Sequence, residues 1–207
     1  MRHLVICLVL AVVGCASTKM ASVTDPTMRD KRYQRFVVFA DIADLEMRGR
    51  MERRVVERLV ESGSGGEISL DLFPPTREYT DVEIKDQLLE RGIDGFLVLM
   101  VNESGTTRSH VPVSGATTTT NGTARVVGDR VHYDGQTRTN VSGGYDITRP
   151  WASFSTELYD VAGGNRTWVA TAQTSGNGYA GFGTVANSYC DKIVSQLLAD
   201  RLLSQGR

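Results

Sequence analysis

The stretch Phe96-Leu97-Val98-Leu99-Met100-Val101 is apolar at every position. A short continuous apolar run fits a strand covered on both faces, and such strands sit in the middle of a sheet with helices packed over it. The remaining elements have to be arranged around this one.

Upstream, Phe36 to Ala40 is a β-rich apolar run and reads as the first strand. Asp41 or Asp44 can cap the helix that follows, in which Met51, Val55 and Leu59 recur at four-residue spacing with Val56 and Val60 beside them. Its other face carries Arg50, Glu52, Arg53, Arg54, Glu57 and Arg58 and is expected to be a solvated surface. Ser62-Gly63-Ser64-Gly65-Gly66 ends the helix. Ile68, Leu70 and Leu72 alternate with Ser69 and Asp71, so Ile68 to Phe73 is predicted as a second strand, stopped by Pro74-Pro75. Thr80-Asp81-Val82-Glu83 spells a capping box: Thr80 accepts from the Glu83 amide while the Glu83 side chain reaches back to the Thr80 amide. Ile84, Leu88 and Leu89 form the apolar face of that second helix, and Gly92 closes it.

From Ser104 onward Thr, Ser and Gly dominate, and Thr117 to Thr120 is a low-complexity run. Val126 to Val131 is expected to be a hairpin turning at Gly128-Asp129. An excursion of this length inside a domain is either a β-hairpin insertion or a functional loop. Trp151 to Val161 is a long strand with Phe154, Thr156, Leu158 and Asp160 on one face, turned at Ala162-Gly163-Gly164-Asn165-Arg166, and Thr167 to Ala172 returns. Val185 to Leu203 is a closing helix with Ala186, Cys190, Ile193, Val194 and Leu197 on its buried stripe. The order β-α-β-α-β, an insertion at 104–149, then β-β-α predicts an α/β fold with one mixed sheet packed by about three helices.

The chain starts with a polar Arg2-His3 pair, an apolar run from Leu4 to Val13, and then Gly14-Cys15. That is the layout of an export signal, and the run is too short to span a bilayer. Val12-Val13-Gly14-Cys15 resembles the lipobox of bacterial lipoproteins. The resemblance implies that residues 1–14 are a signal peptide and that Cys15 becomes an acylated first residue carrying diacylglycerol and usually an amide-linked chain such as palmitate. Ala16 stands where an Asp would favour retention in the inner membrane of enteric bacteria, which implies the outer membrane. Residues 15–34, with Ser, Thr, Lys, Asp and Pro26 and no apolar period, are expected to be a flexible tether. The domain proper is expected over 35–207.

Charge and cysteine usage narrow the function. With 23 Lys plus Arg against 24 Asp plus Glu, the balance is near neutral and argues against nucleic acid as a partner. Arg29, Lys31, Arg32 and Arg35 cluster before the first strand, either as a solvated lead-in or as a lipid-headgroup or polymer contact. Of Cys7, Cys15 and Cys190, the first falls within the signal and the second is the lipid site, so Cys190 has no partner for an intrachain disulfide. Cys190 is expected to be a small buried apolar residue rather than a nucleophile, which would need a basic neighbour.

Phe36 to Val101, with Leu72-Phe73-Pro74-Pro75 ahead of a capped helix and Gly92-Ile93-Asp94 leading the central strand, resembles a family of small proteobacterial envelope lipoproteins. Leu158-Tyr159-Asp160, a Gly-rich turn and Thr167-Trp168 are similar to the strand-turn-strand signature of the same proteins. The domain type implied is that of the curli secretion lipoprotein CsgG, the amino-terminal domain of TolB and the peptidoglycan-synthase activator LpoB. By that resemblance no catalytic residue carries over.

Chemical motifs are sparse. Gly176-Asn177-Gly178-Tyr179-Ala180-Gly181 matches G-x-G-x-x-G, but a dinucleotide site also needs a second parallel strand ending in an acid about twenty residues on. Asp200 occupies that distance, inside a helix pattern. A glycine hinge is the competing account. C-x-x-C, H-E-x-x-H, G-x-S-x-G and Walker patterns are absent from the sequence. No cofactor, metal or enzymatic activity is expected. The expected role is a membrane-anchored, periplasm-facing interaction or assembly module that contacts envelope proteins or peptidoglycan, with homo-oligomers as one form. The alternatives are a subunit of an oligomeric outer-membrane secretion pore of CsgG type and a weak nucleotide binder.

Overall fold

The computed structural model describes residues 14–112, 116–127, 130–141 and 144–204. They divide into two units, one formed by the chain up to Thr107 and from Arg149 onward, the other by Arg108–Thr148. Residues 1–13 of the expected signal, and the Gly128-Asp129 turn, lie outside the described residues.

In the first unit the strands are β1 (Ala16–Thr24), β2 (Arg35–Asp41), β3 (Gly65–Ile68), β4 (Gly95–Pro112), β7 (Gly144–Asp160) and β8 (Arg166–Gly176), with β4 and β7 continuing into the second unit. The helices are α1 (Leu45–Glu61), α2 (Ser69–Leu72), α3 (Asp81–Glu90) and α4 (Phe182–Ala199). Among the described residues six strands form a mixed sheet in the order β1-β8-β7-β4-β2-β3. β2 runs parallel to both β3 and β4, whereas β8 runs antiparallel to β1 and β7. The α/β class and the central place of the Phe96–Val101 run hold.

One face of the sheet is closed by α1 and α4. Phe36, Val38 and Ala40 of β2, Leu97 and Leu99 of β4 and Phe154 and Leu158 of β7 meet Met51, Val55 and Leu59 of α1 and Ile193, Val194 and Leu197 of α4. Phe154 stacks on Tyr189 with centroids 3.9 Å apart and planes 9° from parallel. Among the described residues the opposite face is covered where Leu88 of α3 packs with Val37, Ile93 and Val161. Consequently β4 is not sealed on both sides as its composition predicts. Leu97 and Leu99 are fully buried, while Phe96, Val98 and Met100 on the other face are half-buried.

Several expectations change. Residues 15–34 are not a free tether: β1 occupies Ala16–Thr24 and pairs with β8 from Ala16↔Gly176 to Thr24↔Trp168, and a 3-10 turn follows at Pro26–Met28. The boundary of the folded domain therefore lies near residue 16 rather than 35. No apolar period marks β1 because its inward side chains are mostly short and polar. Thr18 hydrogen-bonds Thr174 and Ser188 at 2.9 Å each, and Ser22 donates to Asp200 at 2.6 Å.

The predicted strand Ile68 to Phe73 ends at Ile68 and turns into α2. The cause is Glu52, which was expected on the solvated face of α1 and is instead fully buried. Its carboxylate accepts from the amides of Ala40 and Leu70 at 3.0 and 3.1 Å, from Ser69 Oγ at 2.8 Å and from Arg48 Nε at 2.9 Å. A buried carboxylate needs such a ring of donors, and wrapping residues 69–70 around it bends the chain out of the extended form. The capping box forms as spelled, with the Glu83 amide donating to Thr80 Oγ1 at 3.3 Å and the Thr80 amide to Glu83 Oε2 at 2.8 Å.

The second unit, Arg108–Thr148, contains β5 (Ala116–Val127) and β6 (Arg130–Val141), paired antiparallel from Ala116↔Val141 to Val127↔Arg130. The insertion is thus strand, as one of its two expected forms required. His110 Nδ1 lies 2.9 Å from Asp146 Oδ1.

Candidate functional site

Cys15 is exposed with a free thiol, one residue ahead of β1. Its carbonyl accepts from the Asn177 amide at 2.8 Å, so the β1–β8 pairing reaches the cysteine itself. The neighbouring turn holds its shape through Asn177, whose side-chain oxygen accepts from the Tyr179 amide at 3.1 Å and whose carbonyl accepts from the Ala180 amide at 3.1 Å. Gly14 lies against the same turn: a Cβ there would come within 2.7 Å of the Tyr179 carbonyl oxygen. Tyr179 is 74% exposed and Phe182, the first residue of α4, 43% exposed. Phe182 also lines an apolar cavity of about 170 Å³ with Met47, Val101, Ala152, Phe154 and Val185.

The G-x-G-x-x-G residues build this turn and not a phosphate cradle. β8, which leads into them, has antiparallel neighbours on both sides, whereas the dinucleotide fingerprint requires parallel strands. Gly176 is needed for close approach, since a Cβ would lie 2.6 Å from Ala180 Cβ and 3.0 Å from Pro150 Cγ. At Gly181 a Cβ would meet nothing within 4 Å.

The second free cysteine has a different fate. Cys190 is fully buried and its Sγ donates weakly to the Met51 carbonyl at 3.8 Å. Burial, reinforced by the nearby Asp191 charge, pushes its thiol pKa up, away from the thiolate form that nucleophilic chemistry uses. Asp44 accepts from the Glu46 and Met47 amides at 2.9 and 3.0 Å and is the cap of α1. Asp41 is exposed at the end of β2. Among the described residues no group of three His, Cys, Asp or Glu side chains is placed to hold a metal ion.

At the other end of β1 the basic cluster splits. Lys31 pairs with the buried Asp160, and Arg35 bridges to Glu67 at 2.6 Å. Arg29 and Arg32 instead join Arg201, Ser22 and Asp200 around an open cavity of about 490 Å³. Arg201 was beyond the reach of sequence spacing. It follows α4 with φ of 58°, in the left-handed region, where the Leu202 amide returns to the Leu197 carbonyl at 2.9 Å and closes the helix.

No family model matches the sequence, and no curated protein matches it. The fold is similar to that of PelC from Paraburkholderia phytofirmans, solved as a dodecamer, with a TM-score of 0.51 at 16% identity over 91% of this chain and 99% of that one. Lipoprotein GNA1162 from Neisseria meningitidis aligns at 14% identity with a TM-score of 0.42, covering 80% of this chain and 99% of its own.

Proposed function

We propose that this protein is an envelope lipoprotein, anchored through acylated Cys15 to the periplasmic face of the outer membrane, whose domain serves as a non-catalytic, self-associating assembly module. The observation that carries the reading is the exposed Cys15 thiol directly ahead of the first strand, behind the apolar run Leu4 to Val13. Acylation requires an accessible sulfur, and two or more chains make anchoring stable. Self-association draws support from the similarity in fold to PelC, a dodecamer. The sheet also ends in two unlike edges, β1 and β3, and unlike surfaces join head to tail, the arrangement that closes rings. The sequence resemblance to CsgG, TolB and LpoB belongs to the same reading.

The test is to purify the native lipoprotein from membranes in detergent and measure its mass and assembly. A mass carrying diacylglycerol on a chain beginning at Cys15, in a particle of uniform stoichiometry, is the expected result. A chain that begins elsewhere or bears no acyl group sinks the anchor, and a strict monomer after in-cell crosslinking sinks the assembly.

A second reading, a subunit of a CsgG-type secretion pore, is favoured by the twelve-residue β5–β6 pair in the second unit. Its strands lack the sustained apolar alternation of lipid-facing barrel strands, so it ranks second. Detergent-resistant rings that conduct ions across planar bilayers would raise it to first.

A further inference from the structure

The outer face of α3 carries apolar side chains in water. Its inner side is fixed by Leu88, which packs with Val37, Ile93 and Val161, with Ile84 and Phe96 against them. These contacts lie where β4 begins and β7 ends, the ends of those strands that do not run on into Arg108–Thr148. On the outer side Val82 is 68% and Leu89 45% exposed, where a surface helix ordinarily carries polar residues.

At about 100° per residue, Val82 and Leu89 fall within about 20° of one line along the helix. Lys85 lies about 50° to one side of that line and Asp86 about 50° to the other. Both are exposed, and among the described residues neither has a hydrogen-bond or ion-pair partner. The stripe thus has an apolar centre, a cationic flank and an anionic flank, and it is complementary to itself in one arrangement. A two-fold axis parallel to α3 sets Val82 against Val82 and Leu89 against Leu89 of a second copy, and each flank then joins Lys85 of one copy to Asp86 of the other. An antiparallel pair instead places Lys85 beside Lys85 and Asp86 beside Asp86. Like charges side by side repel about as strongly as opposite charges attract, so charge selects the parallel sense.

We infer that α3 is an isologous contact between two copies of this chain, laid side by side and parallel, with Val82 and Leu89 at its centre and a Lys85–Asp86 pair on each flank. The inference rests on the self-associating reading above and names a surface separate from the sheet edges β1 and β3. The parallel sense suits a shared bilayer, because rotation about an axis along α3 keeps both Cys15 residues at one level on that axis. Ten residues make a contact about 15 Å long, small beside the roughly 1,200 Å² that stable complexes bury. Confinement of anchored copies to one membrane raises their effective concentration, so the pair forms there and is weak between unanchored chains.

Cysteine crosslinking of the full lipoprotein in phosphatidylethanolamine and phosphatidylglycerol vesicles tests this. Cys15 is acylated and Cys190 is buried, so the introduced thiol in Leu89→Cys or Glu90→Cys is the accessible one. Glu90 is exposed about 90° from the contact line and serves as the control. Under a mild oxidant Leu89→Cys should form a disulfide-linked dimer several-fold more readily than Glu90→Cys. In the Leu89→Cys background, Lys85→Asp or Asp86→Lys alone should cut that yield several-fold, and the two together should restore it, with melting curves matching wild type. Restoration is a result that a merely structural role for either residue does not give. Equal yields from Leu89→Cys and Glu90→Cys, or a double reversal that fails to restore the dimer, overturn the inference, as does a Leu89→Cys crosslink in native membranes to a different protein in place of the second copy. Assemblies that persist under those outcomes leave self-association to the sheet edges, whereas a strict monomer after in-cell crosslinking overturns both.

Discussion

The Asn177 amide donates to the Cys15 carbonyl at 2.8 Å, closing the β1–β8 ladder at the residue proposed for acylation. A lipoprotein joined to its membrane through a paired strand differs mechanically from one on a loose leash.

Asp200 holds β1 onto α4, accepting from Ser22 Oγ at 2.6 Å, Trp168 Nε1 at 2.7 Å and Gln196 Nε2 at 3.2 Å. Asp200→Ala leaves the N–H of the buried Trp168 indole without its acceptor, at a cost of about 1–3 kcal/mol. Hydrogen exchange should show amides 16–24 losing protection well before those of β4. Unchanged protection of β1 would mean that backbone pairing alone holds the strand.

Glu52 and Arg48 form a buried pair, with Arg48 Nη2 also donating to Ser69 Oγ at 2.9 Å and its guanidinium 4.6 Å from the centre of the Phe39 ring. Glu52→Ala strands a buried cation and two amides and should cost about 3–5 kcal/mol in urea unfolding. Replacing both residues together with apolar side chains should recover much of the loss. A single Glu52→Ala within 1 kcal/mol of wild type would contradict the assigned network.

Gly176 and Gly181 make a matched pair. Gly176→Val drives its side chain into Ala180 and Pro150 and should lower stability by about 1–3 kcal/mol through overpacking. Gly181→Ala meets nothing and should melt like wild type. The opposite ranking would reject the steric account of the turn.

Alkali should unfold the domain. Burial pushes the Tyr189, Cys190 and Tyr33 pKa values up from their ordinary range. A group whose folded pKa is raised contributes stability that is complete below its unfolded pKa and is lost as pH rises. Unfolding free energy should therefore fall once pH passes about 8.5 to 10, where free thiols and phenols ionise. Tyr189→Phe should flatten that slope while lowering stability at neutral pH by about 1–3 kcal/mol, since it leaves buried Thr156 without its partner. An alkaline slope identical in Tyr189→Phe would refute the assignment to this phenol.

Much of the fold was readable from residue spacing. Met51, Val55 and Leu59 at four-residue intervals, the Thr80 to Glu83 box and the alternation Phe154, Thr156, Leu158, Asp160 all occupy the faces predicted for them. The misread segments share one cause. β1 buries short hydroxyl side chains whose partners, Thr174, Ser188 and Asp200, lie more than 150 residues away, so no local apolar period announces a strand. Glu52 reads as a surface charge on its own helix, because the amides of Ala40 and Leu70 that bury it come from other elements. Of the candidate site, Cys15 stood out from its run alone, while the Asn177 turn that holds it is placed only by the pairing of β1 with β8.

Sequence by itself determined the three long helices α1, α3 and α4, the central strand and the cysteine after an apolar run, because helical period, capping chemistry and unbroken hydrophobicity are local properties. Tertiary structure decided that the polar segment behind Cys15 is a strand and that Glu52 is interior. Both depend on hydrogen-bond and packing partners distant along the chain, whose proximity arises only when the sheet closes.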